Sequence, residues 1–239
     1  MPTKWIPYVK GLVHLVCLLP FLQMLQMYRS GALGLMADPV NWITHQTGYW
    51  ALFLLVASLA VTPVRRVHAK LSNLIRFRRM LGLYAFFYAT LHLATYVFLF
   101  SGFDLPTAWM GLKSGHVGAV VEQWKLVWPT MLDDLLKRRF IQVGLLGWFL
   151  LLLLALTSPA FVMRKMGGKN WQRLHRWVYV AAAAGVIHYW WLVKKGVMAP
   201  LPFTVVLAML LVARVWWSWR NKRRKAVRAV VSPLVEVPK

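Results

Sequence analysis

Acidic side chains are scarce in this chain: 6 Asp and Glu stand against 29 Lys and Arg, a formal net charge of +23. Charge of either sign is also scarce, at 15% of 239 residues, where a soluble domain carries about 25%. That shortage argues against a water-solvated surface and for lipid as the solvent. A single cysteine, Cys17, excludes an internal disulfide and any paired-cysteine attachment of a cofactor. It lies inside an apolar run and reads as a small core residue. No Pro-, Ser- or Gly-rich linker divides the chain and no internal repeat is legible. One membrane domain over residues 1–239 is the simplest organisation. A basic excess can serve nucleic acid, but here the cations form short clusters between apolar stretches. That is the arrangement of membrane loops drawn to anionic lipid, so membrane lipid is the expected partner and nucleic acid is not.

What is abundant is apolar sequence, 59% of the chain. A spanning helix needs about 20 mostly apolar residues, and six stretches qualify or come close: Gly11–Tyr28, Gly48–Val64, Met80–Ser101, Phe140–Phe161, Leu174–Val193 and Leu201–Trp219. The first is too long for the apolar part of a signal peptide, about 7–15 residues, and reads as a retained helix. Helices are required because lipid offers backbone groups no partners. A barrel needs alternation, which the unbroken run Leu150–Leu154 does not show. Arg65, Arg66, Lys70, Arg76, Arg78 and Arg79 fill one loop, Arg164, Lys165, Lys169 and Arg173 another, and Arg220–Arg228 a basic tail within 220–239. Asp38, Asp104, Glu122, Asp133 and Asp134 lie in the opposite loops. The positive-inside rule then puts both termini in the cytoplasm and the segment from Gly102 to Arg139 on the other side. An all-α bundle of six transmembrane helices in a bacterial inner membrane is expected.

Seven histidines are present. His68 and His116 fall in loops and read as surface residues, and His45 as an interfacial one. His92 and His188 fall inside spans, where ionisable groups default to a functional reading. His92 is 13 residues beyond Arg79 and His188 is 12 beyond Arg176, so both stand roughly 18–20 Å from the basic edge. Two imidazoles at one depth on two helices suit an iron between them. Zinc normally adds Cys or carboxylate ligands, and these spans hold none. Haem brings its own four nitrogens. His175, 13 residues before His188, is placed to serve a second haem nearer the basic side. Arg78 matches its depth on the third span and is a natural partner for haem propionates, while His14 is an alternative ligand. A spacing of 13 puts His175 and His188 roughly 140° apart on a straight helix, so a bend near Gly185 or an irregular first turn is required.

Arg78-Arg79-Met80-Leu81-Gly82-Leu83 with Ala89-Thr90-Leu91-His92-Leu93 resembles the third span of the MsrQ (YedZ) family, within the ferric-reductase-like superfamily. Trp171-Gln172-Arg173-Leu174-His175, Val178-Tyr179 and Ile187-His188-Tyr189 resemble its fifth. His14-Leu15, Leu19-Pro20-Phe21, Ala37-Asp38-Pro39-Val40 and His45-Gln46-Thr47-Gly48 resemble its first span and first outer loop. The resemblance implies a haem-carrying electron-transfer subunit rather than a stand-alone catalytic one. It implies one or two b haems, with His92, His188 and His175 as iron ligands, and FMN as a further cofactor. It implies a periplasmic MsrP-type molybdopterin enzyme that reduces methionine sulfoxide as acceptor, and the quinone pool or a cytosolic flavin reductase as donor. The chain departs from the wider superfamily in having Arg78 where a second span-three histidine is usual. Only a basic tail follows the last span, so electrons are expected to arrive from another molecule. A haem-handling transporter, a STEAP-like metal reductase and a structural anchor are the competing readings.

Overall fold

The computed structural model describes residues 6–67 and 73–231. His68 and Lys70 of the first basic loop, and the tail beyond Val231, lie outside the described residues. The helices are α1 (Ile6–Arg29), α2 (Pro39–Val67), α3 (Ile75–Thr95), α4 (Leu105–Lys113), α5 (Gly118–Lys137), α6 (Arg139–Leu156), α7 (Ala160–Met166), α8 (Gly168–Leu174), α9 (Val178–Leu192) and α10 (Leu201–Val231). Five helical runs among the described residues are long and apolar enough to cross a membrane: Ile6–Arg29, Pro39–Arg66, Ile75–Phe100, Arg139–Leu156 and Leu201–Arg224. The α-helical part of the expected fifth span, α9, has only 15 residues.

Boundaries differ from the apolar runs where caps and prolines intervene. The second helix starts nine residues before Gly48, because Asp38 accepts from the Asn41 N–H at 2.9 Å as a side-chain cap and Pro39 fits the first turn. His45 therefore sits within α2, its Nδ1 2.8 Å from the Asn41 carbonyl. The fourth span was expected to reach Phe161, but α6 ends at Leu156. Pro159 disfavours helix at the residue before it, and the hydroxyls of Thr157 and Ser158 fold back onto the Leu153 and Leu154 carbonyls. At the other end α3 loosens into one π-helical turn, Tyr96–Phe100. Gly102–Arg139, expected as a long loop, is two helices. They close on Phe103, Ala108 and Val127, with Phe98, Trp124 and Met131 packed around them. Asp104 caps α4 by accepting from Thr107, and that bonding holds its carboxyl below the usual carboxylate range.

The second helix is the centre of the bundle. Of its most apolar window, 56% is buried, against 17% or less in the other four spanning runs. It packs on α3, α10, α9 and α1, and Leu52, Leu55, Leu59, Tyr88, Ala182 and Leu207 meet in the core. The outward faces of the remaining helices stay apolar and exposed, as lipid contact requires.

Two spans contain a proline, and beside each a side chain from another helix bonds the backbone. In α1, near Pro20, the Phe21 N–H donates to the Tyr88 hydroxyl at 3.1 Å and that hydroxyl donates to the Cys17 carbonyl at 2.7 Å. The Tyr88 oxygen thus bridges the two ends of one i→i−4 step of the helix. In α2, Pro63 has no N–H for the Leu59 carbonyl, and Arg214 of α10 donates to that carbonyl at 3.4 Å.

Candidate functional site

His92 of α3 and His188 of α9 meet in the bundle, ring centroids 5.9 Å apart and planes at 86°. His92 Nδ1 lies 2.9 Å from the Thr44 carbonyl of α2, and His188 Nδ1 lies 2.7 Å from the Phe140 carbonyl of α6. A carbonyl can only accept, so each Nδ1 carries the ring proton and donates it. Each Nε2 then keeps its lone pair as a metal donor, held by the kind of outer hydrogen bond that metal-ligating histidines commonly make. Rings this close on two helices could hold one metal ion between them. Among the described residues, no group of three or more His, Cys, Asp or Glu forms a metal cluster. An iron here needs its other ligands from a macrocycle, so the donor set fits haem. The Thr44 carbonyl also has the Thr47 hydroxyl at 3.0 Å, its proton shared with the Ile43 carbonyl at 2.9 Å.

Toward the basic end lies a cavity of about 930 Å³, within the range of cofactor sites. Arg66, Arg78, Arg79, Arg176, Arg214 and Lys222 line it, with no acid among its lining residues. Three basic segments that are distant in sequence thus open onto one space. Thr62 Oγ1 and Arg214 Nε are buried on its wall without a hydrogen-bond partner. Orphaned polar atoms are costly, and here, beside so many cations, they fit an anionic group. Haem propionates and a flavin phosphate both qualify.

His175 lines the same cavity as Arg78. It falls in a 3-10 turn, His175–Trp177, between α8 and α9, which is the irregular first turn that the 13-residue spacing demanded. Three steps of about 120° and ten of about 100° leave His175 and His188 roughly 80° apart instead of roughly 140°. The ring stacks on Trp171 at 3.9 Å, and its Nε2 lies 3.2 Å from Thr157 Oγ1. His14 is not brought to this cavity; its Nδ1 lies 2.8 Å from the Tyr84 hydroxyl.

Three contributors escaped the sequence reading. Arg214 lies inside the sixth apolar run and donates to the Tyr179 hydroxyl of α9; a lone Arg in a span was a signal in itself. Gly48 and Gly144 lie against the rings of His92 and His188, and nothing in the one-dimensional pattern marks them among 15 glycines.

Residues 47–186 match the family described as ferric reductase like transmembrane component. Three curated relatives carry the name protein-methionine-sulfoxide reductase heme-binding subunit MsrQ. The Herminiimonas arsenicoxydans protein is 38% identical over 94% of this chain and 92% of its own length. That of Ralstonia nicotianae is 38% identical over 98% and 97%. That of Xanthomonas oryzae pv. oryzae is 41% identical over 92% and 91%.

Proposed function

The chain belongs to the ferric-reductase-like transmembrane family, and within it to the MsrQ group, and from that premise we propose that it is the haem-binding electron-transfer subunit of a bacterial protein-methionine-sulfoxide reductase. His92 and His188 hold a b-type haem between α3 and α9. The haem supplies one-electron chemistry; the protein fixes the two ring nitrogens and surrounds them with apolar helix. The observation that carries the reading is the matched pair of rings, each with Nδ1 bonded to a carbonyl of a neighbouring helix and centroids 5.9 Å apart.

The chain is a single domain in the inner membrane with six spans and both termini in the cytoplasm. The near-continuous helical run from Gly168 to Leu192 supports a fifth span built partly from α8 and the 3-10 turn. The shared cavity of Arg66, Arg78, Arg176 and Lys222 supports a common cytoplasmic face for the basic segments. That cavity holds the inner redox group, a second haem with His175 as a ligand or an FMN, its anionic groups paired with Arg78 and its neighbours. A quinone or a cytosolic flavin reductase delivers electrons there, and an MsrP-type periplasmic molybdopterin enzyme takes them from the outer haem to repair oxidised periplasmic proteins.

The test is the visible and low-temperature EPR spectrum of purified protein with His92→Ala and with His188→Ala. Each is expected to lose the low-spin signal of the outer haem and electron delivery to the reductase partner. Parental spectra and delivery in both variants would overturn the assignment.

A further inference from the structure

The two imidazoles are mounted in the same way. On one side are the Thr44 carbonyl, Gly48 and His92; on the other are the Phe140 carbonyl, Gly144 and His188. Each member of the second set stands 96 positions after its counterpart (140−44, 144−48, 188−92). The geometry points to Gly48 and Gly144 as positioning residues, each the notch that lets a ligand imidazole reach the carbonyl one helical turn before it. This rests on the reading of His92 and His188 as haem ligands.

The spacing of four has a physical cause. In an α-helix the carbonyl of residue i points toward the N–H of residue i+4. A ring that bonds the same carbonyl from outside must therefore lie over residue i+4. A Cβ on Gly48 would stand 3.0 Å from His92 Nδ1 and 3.1 Å from its Cε1. On Gly144 it would stand 2.7 Å from His188 Nδ1 and 2.9 Å from its Cε1. Both lie inside ordinary contact, which begins at about 3.5 Å, and Gly144 is the tighter. Gly11 and Gly82, also within spanning helices, would meet nothing within 4 Å. Glycine is a poor helix former, and at positions 48 and 144 the return is close approach of a ring.

Alanine at 144 must displace the ring, and alanine at 48 makes it give by a few tenths of an ångström. Either lengthens the Nδ1 bond to the carbonyl, so the imidazole becomes a weaker base and the ferric state of a bound iron would be held less strongly. The reduction potential then rises. Loss of one such bond corresponds to a several-fold change, up to about tenfold, in the oxidised-to-reduced ratio at fixed potential, or up to about 59 mV for one electron.

The experiment is redox titration and EPR of holoprotein carrying Gly48→Ala, Gly144→Ala or, as a reference, Gly11→Ala. The expected result is a raised potential and displaced low-spin g values in the first two, larger for Gly144→Ala, with Gly11→Ala at parental values. If Gly144→Ala fails to accumulate, Gly48→Ala still decides, and parental values there overturn the proposal. Pulsed EPR of the unsubstituted protein gives a readout without any variant: the remote nitrogen of both ligand rings should show an exchangeable, hydrogen-bonded proton, and its absence on both rings also overturns it. The underlying ligand reading fails separately, if His92→Ala and His188→Ala keep the low-spin signal.

Discussion

Removing one oxygen from the core, by Tyr88→Phe, tests how strongly the bundle depends on its proline repairs. Tyr88 is fully buried, and its hydroxyl accepts from the Phe21 N–H at 3.1 Å while donating to the Cys17 carbonyl at 2.7 Å. The substitution keeps the ring and its packing, so no cavity term arises beyond the oxygen itself. It strands two backbone groups where lipid offers no partner. Each stranded group costs about 1–3 kcal/mol, which bounds the loss at about 6 kcal/mol. Part is recoverable, because Phe21 and Cys17 are four apart and can close a direct helical bond. Pro20 opposes that closure indirectly: its ring crowds the Val16 carbonyl, and the bend that relieves the clash draws the Phe21 N–H away from Cys17. A net loss of about 2–4 kcal/mol is therefore expected. At about 2–4 °C per kcal/mol for a chain of this size, the melting temperature falls by roughly 5–15 °C. The assay is thermal unfolding of detergent-solubilised protein followed by tryptophan fluorescence, with Tyr84→Phe as comparison because the Tyr84 hydroxyl bonds the exposed His14 ring. A Tyr88→Phe protein that melts within about 1 °C of the parent would refute the reasoning: the direct bond would then have closed at no cost.

Two further outcomes bear on the proposed route of electrons. His175→Ala, measured for both pigments in purified protein, is expected to lose about half the haem if the cavity holds a second one, with the His92–His188 spectrum kept; with a flavin there, haem stays constant and flavin retention falls. Unchanged haem, flavin and reduction rate would remove His175 from any cofactor role. Shortening the α4–α5 hairpin, which exposes Trp109 and Trp128, is expected to weaken coupling to the methionine sulfoxide reductase partner at constant haem content, because aromatic side chains are favoured at interfaces. Loss of haem on shortening would instead identify the hairpin as a lid over the bundle.

Much of the fold was legible because lipid permits few solutions. Apolar runs coincide with the five helical runs among the described residues that are long enough to span, and counting residues from Arg79 and Arg176 puts His92 and His188 at one depth. What counting could not reach was angle. Residues 175 and 188 fit one face better once three residues tighten into a 3-10 turn, and no composition rule announces that turn. Helix ends were misjudged for a related reason. Hydropathy reads side chains, whereas Asp38 and Pro39 begin a helix, and Thr157, Ser158 and Pro159 end one, through backbone hydrogen bonds.

The residues that sequence reasoning passed over belong to a class that acts on the backbone of another helix. Gly48 and Gly144 expose a carbonyl to an imidazole by lacking a side chain, and Pro63 exposes the Leu59 carbonyl by lacking an N–H. The two cases differ: the Leu59 carbonyl has lost its helical donor to Pro63 and in a membrane needs one from the protein, whereas the Thr44 and Phe140 carbonyls keep the N–H four residues on and accept an imidazole as a second partner. Imidazole donors at Thr44 and Phe140 leave two Nε2 atoms free to bind a metal. A guanidinium donor at Leu59 anchors a cation on the wall of the basic cavity, with its Nε still unpaired. The histidine pair and the basic cavity thus both depend on a backbone carbonyl of one helix meeting a side chain of another, a relation between pairs of helices that the pattern along any one helix does not display.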